Sequence, residues 1–227
     1  SSREDRSYRA DAEYFYPAGT VKLVGAVAAL HTARELGVSL DGPIVRHDVD
    51  DPAQVLRAPD GGDVVLSREL ARMIIAGDND AFNLCFDLAG TRRMNQVMWD
   101  GGMTSVLIEH RLGRPVSRRN AGTAAALDLP TATGTLSLPE REGTLVLRWR
   151  EPAGMSVGRA SVRGGSVVNE PMNFRRRNRI SLGDLHELTI ALTRPDLARA
   201  DLPLAEGDRA LIQRLMGTLP RECADPV

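Results

Sequence analysis

The sequence predicts an α/β protein of the α+β kind, a helical lobe beside an antiparallel sheet, and three observations carry that reading. Helix-period apolar patterns recur between Thr20 and Gly101. Period-two alternation replaces them from about residue 115, and they return after Ser181. The 227 residues are 42% hydrophobic and 26% charged, enough apolar material for the core of an ordinary soluble globule. The chain reads as one domain, 1–227: a helical lobe about 15–114, a strand- and loop-rich insert about 115–180, and C-terminal helices about 181–218.

Residues 1–14 are polar and charged and form a lead-in. Between Thr20 and Leu36 apolar residues fall on nearly every side of a helix: Val21, Leu23, Val24, Val27 and Leu30, with Ala26, Ala28 and Ala29 between them. Such a helix is buried within a domain, not laid on its surface. Pro17 and Gly19 precede it, Gly19 being an acceptable N-cap, and Gly37 supplies the stop. Pro43-Ile44-Val45-Arg46 reads as a short strand within an Asp-, Pro- and Gly-rich stretch. Ser67 is placed to cap a helix with Leu70, Met73 and Ile74 on one face, ending at Gly77-Asp78-Asn79. The next helix runs from about Asp80 to Ala89 through Phe82, Cys85, Phe86 and Leu88 and closes at Gly90. Thr91 caps a third, carrying Met94, Val97 and Met98 to Gly101-Gly102.

In the insert, Leu136 and Leu138 alternate with polar residues, residues 139–143 read as a turn, and Leu145, Leu147 and Trp149 alternate again, which makes a hairpin. Val162-Arg163-Gly164-Gly165-Ser166-Val167 reads as a second hairpin with a two-residue Gly-Gly turn. Ser181, with Asp184 as capping partner, opens a helix that turns Leu185, Leu188 and Leu192 inward. A last helix holds Leu211, Ile212, Leu215 and Met216 before Pro220.

Composition excludes several function classes. A net charge of −1 gives no global field to draw nucleic acid or an anionic membrane, and no apolar run approaches the roughly 20 residues of a membrane span. No signal peptide is visible, although a chain beginning Ser1-Ser2 without Met leaves room for a removed leader or tag. Cys85 lies in an apolar helical pattern and Cys223 in a tail, so the two make no disulfide framework. His31, His47, His110 and His186 lack ligand spacing; no metal site and no cofactor are expected. Gly154-Met155-Ser156-Val157-Gly158 has the G-x-S-x-G form of a nucleophile elbow, but that motif needs a helix after it and a Gly-Gly hairpin follows here. Arg175-Arg176-Arg177 with Arg179 reads as a solvated loop or a contact for a substrate carboxylate.

One residue stands apart. Of 29 Lys and Arg residues, Lys22 alone is lysine. Arginine cannot be deprotonated inside a protein, whereas a buried lysine gives up its proton and can act as a base. Lys22 falls in the first helical turn, where the positive end of the helix dipole and desolvation both lower an amine's pKa. Gly19 lies three positions earlier on the same face.

That stretch, Phe15-Tyr16-Pro17-Ala18-Gly19-Thr20-Val21-Lys22-Leu23, resembles the Ser-x-x-Lys nucleophile motif of class A β-lactamases and penicillin-binding proteins. Ile74-Ile75-Ala76-Gly77-Asp78-Asn79-Asp80-Ala81-Phe82-Asn83 resembles their Ser-Asp-Asn segment, in the right order. Glu170-Pro171-Met172-Asn173-Phe174, Asn178, Ser181–His186 and Leu219-Pro220-Arg221-Glu222 are similar to a bacterial branch of these serine hydrolases. Both motif serines are glycine: Gly19 stands at the nucleophile position and Gly77 at the second serine.

The resemblance implies a helical lobe beside an antiparallel sheet, no cofactor, a periplasmic or secreted location, and a β-lactam or peptidoglycan-like small ligand. It implies a site of Gly19, whose N–H would help hold an oxyanion, Lys22 as the base, and Asn79 donating to substrate. Asp78 would join Gly19 and Asn79 in binding substrate, and Gly77 would stand where a hydroxyl relays a proton. More distantly it implies Glu170 as the glutamate that activates water. From the residues alone Asn79 also reads as a turn residue, Gly77 as a helix C-cap and Glu170 as a solvated loop residue. The third motif, Lys-x-Gly, cannot occur with a single lysine. Arg141-Glu142-Gly143-Thr144 is one substitute, and sequence beyond Val227 is the expected source, which would leave the sheet incomplete and apolar surface open beside the central helix. Two functions remain: a β-lactamase-like serine hydrolase disabled at the nucleophile, or a non-catalytic binding or structural module on that scaffold. The oligomeric state is not legible.

Overall fold

The computed structural model describes residues 3–6, 8, 16–113, 122–143, 155–163 and 165–222. Helix α1, Val21–Leu36, is the centre of the molecule. Val21, Val24 and the run Ala26–Leu30 are all within 1% of complete burial. The sequence pattern demanded this, since a helix apolar all round has no face to give to water. Gly37, at φ 66°, ends the helix in the left-handed region. Fully burying a Leu or Phe side chain contributes about 1.5–3 kcal/mol, and Leu30, Phe82 and Phe86 are buried in this core.

α1 packs chiefly against α3, Asn79–Asp100. The approach is close because Gly25 has no side chain: a Cβ there would lie 2.9 Å from the Phe82 ring. Gly90 breaks α3 into two segments with φ 72° and ψ 159°, at the position where the sequence placed a stop. Arg141 donates to the carbonyl of Asp87 released by this break. Before α3 come α2, Leu66–Ala71, and a π-helical turn, Arg72–Ala76, which Gly77 ends at φ 70°. α4, Leu182–Thr193, is capped by Ser181, whose hydroxyl accepts the Asp184 N–H. α5 is Glu206–Gly217.

The sheet is antiparallel. Strands β1 (Pro43–His47), β2 (Val55–Leu56), β5 (Leu127–Thr131) and β6 (Gly134–Leu138) run in the order β2-β1-β5-β6, and β3 (Val64–Val65) also pairs with β1. β4 (Thr123–Ala124) pairs with β7 (Arg141–Glu142). β8 (Ser156–Val157) pairs with β11 (Met172–Asn173), and β9 (Ser161–Arg163) with β10 (Ser166–Val168). Ser166 opposite Arg163 is the register of the expected two-residue turn.

Sheet and helices are joined at one buried carboxylate. Asp87, 1% exposed, accepts from Arg46 of β1 at 3.1 Å, from the Ala125 N–H at 2.9 Å and from Arg111. The Arg111 guanidinium also lies over the Phe86 ring, 5.1 Å from its centre, so two buried cations share one anion and one of them also has a ring face.

Several expectations need correction. α2 begins at Leu66 after an extended Val65, because β3 runs straight into it and Ser67 is already inside the helix. β6 pairs with the preceding β5, and residues 141–142, expected within a turn, form β7; Leu145, Leu147 and Trp149 lie outside the described residues. Gly19 is not an N-cap. It sits inside a 3-10 turn, Ala18–Thr20, that leads into α1. Among the described residues the apolar side chains of α1 are buried or half-buried, and the most exposed aliphatic side chains are Val157, Val162 and Val167 on the small hairpins.

Candidate functional site

The site is built where the entrance to α1 meets the start of α3. The chain enters α1 through a tight turn in which Ala18 takes φ 46° and the Thr20 N–H and hydroxyl both donate to the Pro17 carbonyl, at 3.0 and 2.7 Å. The Thr20 hydroxyl is thus turned back into the turn and committed there. Gly19 is exposed. A Cβ built on it would lie 3.5 Å from Lys22 Nζ, an ordinary contact, and its φ is not in the left-handed region.

Lys22, 8% exposed, donates from Nζ to Asn79 Oδ1 at 2.9 Å. Burial lowers the pKa of this amine, and the negative charge of Asp78 partly restores it. Asp78 is the N-cap of α3: Oδ1 accepts the Ala81 N–H at 2.9 Å and Oδ2 accepts from Arg72 at 2.5 Å. Burial pushes the Asp78 carboxyl up, but the Ala81 N–H and Arg72 outweigh it and hold it below the usual range. Arg72 also grips both oxygens of buried Glu69, at 2.8 and 2.9 Å. Both Asp78 oxygens are therefore engaged by its own chain, and its influence on Lys22 is one of charge.

Gly77, exposed and at φ 70°, has open space where its Cβ would be. Its backbone, unlike that of Gly19, favours glycine. Three residues that sequence reasoning gave no role complete the arrangement. Asn83 donates to the Leu112 carbonyl at 3.0 Å and accepts the Leu112 N–H at 2.9 Å, which fixes the 112–113 backbone against α3. Gly113, at φ 71°, thereby comes so near that a Cβ would meet Asn79 Nδ2 at 3.1 Å. Arg72 is the third, tying the turn to α2. The available signal was the i, i+4 spacing of Asn79 and Asn83 on one helix face.

Glu170 is exposed at the bend after β10, its N–H bonded to the Val168 carbonyl; the carboxylate whose charge acts on Lys22 is Asp78. The 155–179 segment does reach the neighbourhood, because Phe174 packs on Tyr16 with ring centres 5.0 Å apart. Ser156 is exposed in β8 and followed by β9 without an intervening helix, as the rejection of a nucleophile elbow requires; Gly154 lies outside the described residues. A cavity of about 510 Å³ lies away from the site, between His31 and Glu35 of α1 and the Gly90 break. Among the described residues no cluster of three or more His, Cys, Asp or Glu could hold a metal ion, and no helix is long and apolar enough to cross a membrane.

Residues 2–148, which contain Gly19, Lys22, Gly77 and Asn79, match the β-lactamase enzyme family. The chain belongs to that family. Among solved structures, the fold of this β-lactamase-family chain is similar to the chromosome-encoded β-lactamase of Vibrio parahaemolyticus (TM-score 0.51, 15% identity, 94% of this chain and 59% of that one). It is also similar to a variant of the last common ancestor of Gram-negative bacteria class A β-lactamase (TM-score 0.50, 17% identity, 92% and 57%). The likeness is one of fold, and this chain spans less than two thirds of either β-lactamase. No curated protein matches the sequence. The α/β, β-lactamase-like fold expected from the sequence is thus the one observed.

Proposed function

We propose that this chain carries a serine-hydrolase site without its nucleophile, able to hold a β-lactam or peptidoglycan-like ligand but not to be acylated by it. The observation that carries the reading is the Gly19–Lys22–Asn79 arrangement: a side chain at 19 would begin 3.5 Å from an amine already oriented by Asn79. A serine hydroxyl there would lie within reach of a base, the relation an activated nucleophile needs. Glycine supplies the backbone N–H for an oxyanion but no oxygen to acylate. In this reading Asn79 donates to the ligand, Gly77 leaves the proton-relay position empty of a hydroxyl, and Glu170 is the more distant candidate for activating water. A periplasmic or secreted setting suits such ligands.

The test is intact mass spectrometry with a labelled β-lactam. The parent protein is expected to form no adduct and Gly19→Ser to form one. Loss of a nucleophile costs on the order of 10⁶ in kcat in a triad hydrolase, so the contrast is large. An adduct on the parent overturns the reading. No adduct on a folded Gly19→Ser protein favours the second reading, a binding module, for which the glycine-favouring backbone at Gly77 speaks.

A further inference from the structure

Lys22 is buried, yet its amine lies directly beneath an exposed glycine. Apart from its own chain neighbours, the atom that a Cβ on Gly19 would meet within 4 Å is Lys22 Nζ, at 3.5 Å. That distance is the outer edge of the 3–3.5 Å range in which reacting atoms are poised to bond. A carbon atom of a ligand entering over Gly19 would take the same place. The amine is fixed in direction by Asn79 Oδ1 at 2.9 Å, and the neighbouring Thr20 hydroxyl is turned away to Pro17.

We propose that the Lys22 amine is itself a covalent capture site for small aldehydes, which reach it over Gly19 and are held as an imine. The proposal does not rest on β-lactam recognition; it needs only the amine and its approach. The nitrogen lone pair adds to the carbonyl carbon, and the N–H proton passes to the carbonyl oxygen through solvent at the open Gly19 side. The carbinolamine C–O bond then breaks, the oxygen leaving as water with the second N–H proton, and the C=N bond forms without oxidant or reductant. Burial favours the neutral, nucleophilic amine, and Asp78 is the nearby charge that opposes this. An aldehyde suits the site better than an acyl donor, because its leaving group is water and no acid is needed for a departing ring nitrogen at Gly77.

The single lysine makes the test unambiguous. The native full chain is treated with benzaldehyde and sodium cyanoborohydride, which reduces the imine to a stable amine, and is then peptide-mapped to separate Lys22 from the N-terminal amine. Labelling of Lys22 is expected to be faster in the native protein than in the urea-unfolded chain, where the residue is an ordinary lysine; this comparison needs no variant. Gly19→Leu, with circular dichroism unchanged, is expected to slow labelling at least about tenfold by displacing the carbon from bonding range. Lys22→Arg removes the label. Native labelling no faster than that of the unfolded chain, or a folded Gly19→Leu protein that labels like the parent, overturns the proposal.

Discussion

Lys22 and Asn79, 57 positions apart in sequence, are joined by a 2.9 Å hydrogen bond from Nζ to Oδ1 that ties the first turn of α1 to the first turn of α3. α1 alone would leave the Lys22 amine short of a partner. Together the two helices satisfy an amine that would otherwise be buried unpaired, at a cost of several kcal/mol. The bond therefore both locates the site and helps to close the core.

The two glycines of the site are expected to respond oppositely to a methyl group. Gly19→Ala should raise stability by about 0.4–1 kcal/mol, because the conformation is open to alanine and the unfolded chain loses freedom. Gly77→Ala should lower it by about 1–2 kcal/mol, because φ 70° brings Cβ against the following carbonyl. Urea denaturation of the two variants beside the parent checks both signs.

Asp87→Ala should cost about 3–5 kcal/mol, since it strands Arg46 and Arg111 as buried cations. Asp63→Ala, which removes the partner of Arg57 in a pair exposed by 62% on each side, should cost less than about 1 kcal/mol. Equal effects in denaturant melts would refute the assignment of Asp87 as the joint between sheet and helices.

Asn83→Ala should destabilise by about 1–3 kcal/mol, because the Leu112 N–H and carbonyl lose their partners together. It should also release Gly113 from Asn79 and weaken ligand binding at the site. Calorimetric titration of a β-lactam into the folded variant, compared with the parent, reads the second effect separately from the first.

His110 should make stability depend on pH. Its Nδ1–H donates to the Arg111 carbonyl at 2.5 Å and Nε2 accepts the Asn178 N–H at 3.3 Å, which requires the neutral ring. Burial lowers its pKa, the Arg111 carbonyl opposes this, and Arg177 adds to the lowering. Above the ordinary histidine value of about 6.5 the contribution is complete. As pH falls below it, the unfolded chain takes up the proton first, so stability declines until the folded ring also titrates. His110→Gln should flatten this slope in urea midpoints measured from pH 7 downward.

Much of the fold was legible because its signals were local. Gly37, Gly90 and Gly165 each mark a backbone conformation that glycine adopts without strain, and α1 declares its burial through its apolar circumference. The β5–β6 pairing was not legible: Pro130 lies within β5 and masks the alternation of Leu127 and Leu129. The nearness of Gly19, Lys22 and Asn79 was readable from two motifs. The supports of Asn79 were not, because the Asn83 amide engages the backbone of Leu112 and Gly113 approaches Asn79 with its backbone, contacts that no side-chain pattern reveals.

The shared carboxylate in the middle of α3 has a consequence for the order in which the chain can assemble. Asp87 takes its partners from residues 41, 24 and 38 positions away. The helix can wind by itself, but its midpoint cannot leave water until β1 and the 111 and 125 segments arrive together. Early collapse onto α1 is thereby penalised unless those loops have closed. Sheet closure and helix burial become one cooperative event, and the Asn79 end of α3 is presented to Lys22 only once the rest of the architecture is in place.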